Sequence, residues 1–96
     1  MLLDTLRAHR AEINLLAQKY GARRIRVFGS VARREEGPDS DVDFLVDLPQ
    51  GYDLFRQRMP LARELSDMFG REVDLIPEHE LNRHIRPYVL DEAVEL

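Results

Sequence analysis

Asp41 and Asp43 stand two residues apart in the run Ser40-Asp41-Val42-Asp43-Phe44-Leu45-Val46. Apolar and acidic side chains alternate there, which predicts a strand over Asp41 to Leu48. Residues two apart on a strand share a face, so both carboxylates project together. Like charges at that spacing repel unless a cation stands between them. Mg²⁺ is suited to the place, because it takes carboxylates together with triphosphate oxygens and water. Asp-x-Asp alone fits a solvated sheet face more readily than a metal clamp. Gly29-Ser30 upstream shifts the balance. It ends a predicted strand and opens a predicted short helix, where a glycine lets backbone approach a ligand. Helix-start amides and the Ser30 hydroxyl can then hold phosphate oxygens. A third carboxylate, Asp74, lies in Glu72-Val73-Asp74-Leu75-Ile76, on the strand face opposite Val73 and Leu75. If that face is the one bearing Asp41 and Asp43, the three carboxylates converge. Two-metal phosphoryl chemistry uses such a cluster, and Asp74 can also accept a proton from the attacking hydroxyl. Read alone, Asp74 is a surface strand residue like Asp47.

The elements that must position these groups follow from periodicity. Leu2 to Tyr20 predicts one amphipathic helix, with Leu2, Leu6, Ile13, Leu16 and Tyr20 near one face and Gly21 as its stop. Arg24 to Phe28 alternates charged and apolar residues, a strand with one buried face. Val31 to Arg34 is expected to be a short helix with Ser30 as its N-cap. Asp53 is placed to cap a helix from Leu54 to Phe69, which Pro60 should kink or split. Arg71 to Ile76 is the third strand. The tail predicts two helical pieces, about Glu78 to Ile85 and Tyr88 to Val94, separated by Pro87. Helix, strand, helix, strand, helix, strand, helix describes an α/β layer with helices packed on a small sheet.

The chain has 96 residues, enough for one domain spanning 1–96. It has no cysteine, which excludes disulfides and thiolate metal sites and leaves oxygen or imidazole as ligands, and its 18 acidic residues favour oxygen. A formal charge of −4 argues against broad nucleic-acid binding, so no direct nucleic-acid partner is expected. With no signal peptide or transmembrane run, the expected location is cytoplasmic, with no membrane partner. Lys19 is the only lysine. His9, His79 and His84 share no evident face with the carboxylates and read as surface or partly buried residues. Arg23, Arg24 and Arg26 read as a solvated edge. The apolar tail around Tyr88, Val89, Leu90, Ala93 and Val94 fits core packing and a partner-facing patch equally well.

Phe28-Gly29-Ser30-Val31-Ala32-Arg33, followed by Asp39-Ser40-Asp41-Val42-Asp43-Phe44-Leu45-Val46, resembles the signature of the DNA polymerase β-like nucleotidyltransferase superfamily. Within it, the short chain resembles the minimal nucleotidyltransferases, the MNT or MntA-like group. The strand around Asp74 and the tail from Ile85 to Val94 also resemble that group, so the likeness covers nearly the whole chain. The resemblance implies a small mixed β-sheet with helices packed on it, the polymerase β-like palm fold. It implies that Gly29 and Ser30 bind the triphosphate, that Arg33 contacts phosphates, and that Ser40 belongs to the substrate site. Asp41, Asp43 and Asp74 would be the catalytic residues and the ligands of Mg²⁺, in a two-metal arrangement, with ATP as substrate. Many members have glycine where this chain has Arg34, so the conformation of the turn after Arg33 is open.

The resemblance further implies a partner. Such domains are often encoded beside an all-helical HEPN-domain RNase toxin, act as its antitoxin and transfer AMP to it. Three functions therefore stand for test: an adenylyltransferase acting on a protein, a steric antitoxin with a vestigial nucleotide site, and a small-molecule nucleotidyltransferase. The last usually carries an extra helical domain.

Overall fold

The computed structural model describes residues 1–96. Two helices, α1 (Leu2–Ala8) and α2 (Arg10–Lys19), precede strand β1 (Ile25–Phe28) and the single-turn helix α3 (Gly29–Ala32). Strand β2 (Val42–Val46) follows, then a π-helical turn (Leu54–Arg58) that runs into α4 (Met59–Phe69). Strand β3 (Val73–Pro77), a 3₁₀ turn (Glu78–Glu80), helix α5 (Arg86–Glu92) and the two-residue strand β4 (Val94–Glu95) complete the chain. The sheet order is β3-β2-β1-β4, with β1 antiparallel to both β2 and β4 and β2 parallel to β3. The sheet is thus mixed, as expected.

Each departure from the periodicity has a local cause. The first helix divides at His9 (φ −104°, ψ 15°), whose amide is shared between the Thr5 and Leu6 carbonyls, 3.2 and 3.1 Å away. The His9 ring bonds the Thr5 carbonyl as well and rests edge-on against Phe69. Pro60 falls in the first turn of α4, where its missing N–H costs nothing, and the wider π turn takes up the mismatch before it. Asp53 caps that turn as expected, accepting from the Phe55 and Arg56 amides at 3.0 Å each. The expected N-cap at Ser30 is corrected: the helix begins at Gly29, and Phe28 is the residue before it. In the tail, residues 81–85 are not helical, because the 3₁₀ turn ends at Glu80. Val94 leaves α5 to pair with Val27, a strand that periodicity misses because it is two residues long.

One sheet face carries the main core. Ile25, Val27, Val42, Phe44, Val46 and Leu75 pack there against Leu3, Leu6, Ile13, Leu61 and Leu65 of the helices. The opposite face is covered over only part of its area, by Leu81 and Val89 against Leu45, with Phe28 and Ile76 at the margin. This second layer corrects the solvated reading of Arg26, which is only 5% exposed and reaches Glu78 Oε1 at 2.5 Å. Arg26 holds the Glu78 carboxyl below its usual range, and Arg86 also binds Glu78. The apolar tail divides between its two readings. Val89 is buried, whereas Tyr88 is 74% exposed.

Arg34 takes a left-handed conformation, φ 59°. That is the conformation glycine adopts without penalty, which explains why glycine suits this position. Here the arginine makes a compensating pair with Asp4, at 2.9 and 3.0 Å, and its guanidinium holds the Asp4 carboxyl far below the usual range. Arg34→Gly and Arg34→Ala both lose this pair, but only glycine relieves the backbone. The glycine variant is expected to be the more stable of the two by about 1 kcal/mol. Thermal melts of the two variants check this, and equal melting temperatures would show an unstrained turn.

Candidate active site

The uncovered part of the second sheet face is where β1 ends and β2 and β3 begin. In the parallel β2–β3 ladder Asp43 lies in register with Asp74, and on the other side of β2 it faces Phe28. Both carboxylates therefore stand on the same face, as the alternation of Val42, Phe44, Val73 and Leu75 into the core requires. Asp41 lies one residue before β2 and is exposed. None of the three carboxylates has a hydrogen bond or salt bridge to another side chain within the chain. No three Asp, Glu or His side chains stand close enough to hold an ion together. The fold thus supplies the neighbours Asp43 and Asp74, with Asp41 flanking them.

Asp43 is half-buried, and its carboxyl is pushed up to about 6. Burial is the main cause, and the negative charges of Asp74, Asp41 and Glu92 add to it, while Arg33 acts the other way. Negative charge accumulates here without a bonded cation of the chain. The donors are all hard oxygens, and Asp43 and Asp74 are aligned on adjacent strands. This donor set fits a divalent cation such as Mg²⁺.

Gly29 closes the site from above. Its φ is +72°, and a Cβ placed on it would lie 2.2 Å from Asp43 Oδ2. The turn and the carboxylate touch only because residue 29 has no side chain. Ser30 follows in the first turn of α3, where amides lack intrahelical partners.

Two residues expected at the substrate are engaged inside the chain. The Ser40 hydroxyl accepts from the Gly37 amide at 2.8 Å, and Arg71 donates to the Gly37 and Ser40 carbonyls. Ser40 thereby shapes the turn that leads into Asp41. Arg33 donates to Glu92 Oε2 at 2.7 Å and to Glu35 Oε2 at 3.1 Å. Glu92 and Glu35 were not foreseen. Glu92 lies 59 residues from Arg33, and no local pattern connects them. Glu36, in the same turn cluster, accepts from the Leu2 amide at 3.0 Å and so caps α1.

The profile of the nucleotidyltransferase domain family matches residues 12–96. The chain belongs to this family. Among its relatives is the protein adenylyltransferase MntA of Thermococcus cleftensis, 39% identical over 89 residues that cover 93% of this chain and 86% of the relative. A Methanocaldococcus jannaschii protein, provisionally named a protein adenylyltransferase, is 35% identical over 78 residues, 81% of this chain and 83% of that one. A solved structure, provisionally named a minimal nucleotidyltransferase, superposes with a TM-score of 0.84 at 42% identity, covering 98% of this chain and 95% of the other. A toxin–antitoxin structure with AMP-PNP shares the fold, with a TM-score of 0.69 at 21% identity over 88% of this chain and 69% of that one. The mixed sheet with its flanking helices is the nucleotidyltransferase fold, and the chain is a nucleotidyltransferase. No helix is long and apolar enough to cross a membrane.

Proposed function

We propose that this nucleotidyltransferase moves AMP from ATP to a hydroxyl of a separate protein. We further propose that it is the antitoxin of a toxin–antitoxin pair whose toxin is a HEPN-domain RNase. The observation that carries the chemical reading is the unpartnered Asp43–Asp74 pair in register beneath the Gly29–Ser30 turn. The relatives named protein adenylyltransferase support AMP as the group and protein as the acceptor. The toxin–antitoxin structure with AMP-PNP supports a toxin as the partner and an adenine nucleotide as the substrate.

In this reading the amides at the start of α3 and the Ser30 hydroxyl bind triphosphate oxygens. Asp41, Asp43 and Asp74 would hold Mg²⁺, which when bound screens the triphosphate charge and favours the acceptor alkoxide. Asp74 lies on β3, the edge strand, where a docked protein can reach it. It orients the acceptor hydroxyl and takes its proton. The acceptor oxygen bonds to the α-phosphorus, the bond to the bridging oxygen of the β-phosphate breaks, and pyrophosphate leaves.

Intact-mass spectrometry of the co-encoded partner, before and after incubation with this chain, ATP and Mg²⁺, tests the reading. One or more added AMP groups are expected. Asp74→Asn is expected to lower turnover by at least about 100-fold while changing nucleotide affinity little, the pattern of an interaction made mainly in the transition state. An unchanged partner mass, with the RNase still suppressed by binding, would leave a steric antitoxin. Transfer to a small molecule alone would refute the protein acceptor.

A further inference from the structure

We propose that Arg33 and Glu92 are positioning residues whose ion pair ties α5 to α3 and so holds the Gly29–Ser30 turn against Asp43. The proposal rests on reading that turn as the nucleotide site. It assigns Arg33 to the turn's support, in place of a direct phosphate contact.

Helix α3 is a single turn of four residues, too short to be stable by itself. Its geometry must come from what holds it. The Arg33 amide donates to the Gly29 carbonyl at 3.1 Å, and the Glu35 amide donates to the Ser30 carbonyl at 2.8 Å. Residues 33 and 35 are therefore bonded through the backbone to the two residues that face the substrate. Their side chains are bonded to each other as well, Arg33 Nε to Glu35 Oε2 at 3.1 Å. The buried Val31 and the Arg34–Asp4 pair tie this frame to the core and to α1, and its tie to α5 is Glu92. Its two oxygens accept from Arg33 Nη1 at 2.7 and 3.3 Å. Glu92 is the last residue of α5, and α5 is anchored at its other end by Arg86 on Glu78 and in its middle by the buried Val89.

The tolerance at the turn is small. A Cβ on Gly29 would lie 2.2 Å from Asp43 Oδ2, so a sub-ångström displacement of α3 changes the spacing between turn and carboxylate. Arg33 has three side-chain hydrogen bonds to carboxylates, two to Glu92 and one to Glu35. Leaving them for a phosphate would release the frame when the turn is needed. The pair is partly exposed, with side-chain exposures of 47% for Arg33 and 24% for Glu92. Such pairs add little to global stability. A loss of function on breaking this one is therefore not explained by unfolding.

Amide hydrogen–deuterium exchange on the free full-length chain reads the turn without nucleotide. In Glu92→Gln and in Arg33→Lys, which keeps the charge but not the planar fork, the amides of residues 33 and 35, which donate to the Gly29 and Ser30 carbonyls, are expected to exchange about tenfold faster through easier local opening. The melting temperature should move by less than about 4 °C, as for a partly exposed pair. Calorimetric titration with Mg²⁺ and a non-hydrolysable ATP analogue should show binding about tenfold weaker in both variants, the lower end of what a lost supporting contact costs. Unchanged exchange at the amides of residues 33 and 35 would overturn the proposal and leave an ordinary surface pair. Tighter analogue binding by Glu92→Gln would also overturn it, by showing that Glu92 restrains Arg33 from the phosphates. A wild type that binds no analogue counts against the nucleotide site itself, while the exchange measurement still decides the positioning role.

Discussion

Gly29→Ala is expected to cost about 2–4 kcal/mol of stability, in the range of steric and backbone conflicts at special positions, and to abolish binding of Mg²⁺ with ATP. Two separable causes contribute. The left-handed φ of +72° at this residue costs an L-residue about 1–2 kcal/mol. The added methyl would also fall 2.2 Å from Asp43 Oδ2 and 3.1 Å from its Cγ, so the carboxylate must leave its rotamer. A double-mutant cycle separates the two. With Asp43→Ala already present the carboxylate is gone, and Gly29→Ala then meets only the backbone cost. The coupling between the sites is expected to be about 1–2 kcal/mol, within the range for residues in contact. Denaturant melts of the four proteins measure it. Additive effects would show that turn and carboxylate are independent, which the close approach of Gly29 to Asp43 does not permit.

Asp43→Asn is expected to stabilise the free protein and to remove its response to ligand. Burial and the neighbouring carboxylates push the Asp43 carboxyl up to about 6, from about 4 in the unfolded chain. A carboxyl raised in the folded state binds its proton more tightly there than when unfolded. Below about pH 4 the two states are protonated alike and no penalty exists. As pH rises through 4 to 6, stability is lost, and above about 6 the loss is complete. The displacement corresponds to about 3 kcal/mol before screening. The half-exposed carboxylate is screened by solvent, which brings the expected loss to about 1 kcal/mol. The asparagine side chain carries no charge, so the variant should melt about 4–8 °C higher than wild type at pH 7.5, with no advantage at pH 4.

Ligand reverses the order. In the wild type, Mg²⁺ with ATP at a hundred times the dissociation constant adds about 2.7 kcal/mol by mass action. The variant should gain nothing, and its turnover should fall by about 10³-fold, as for loss of metal stabilisation worth several kcal/mol. Because a protonated Asp43 cannot serve the ion, wild-type ligand response should also fade as pH drops through about 6. Scanning calorimetry across pH, with and without ligand, checks both directions. A variant that is less stable than wild type at pH 7.5, or one that keeps the ligand shift, would remove Asp43 from the metal site.

The sequence by itself determined the parts of the site built from neighbours along the chain. Gly29-Ser30 after an alternating strand, Asp-x-Asp, and the alternation around Asp74 all act over a few residues, and backbone sterics and side-chain period decide them locally. The cap at Asp53 and the disruption at Pro60 were legible for the same reason. Other features belong to the tertiary structure. The parallel register that sets Asp43 beside Asp74 depends on how α4 returns the chain to the sheet. Arg26 is buried because the tail folds over it, and its alternating pattern alone could not show a second covered face. The left-handed Arg34 persists through its pair with Asp4, 30 residues away. Glu92 meets Arg33 only once α5 is anchored at Glu78. Contacts of this kind are selected by packing between distant segments, and neither partner's local sequence encodes the distance to the other.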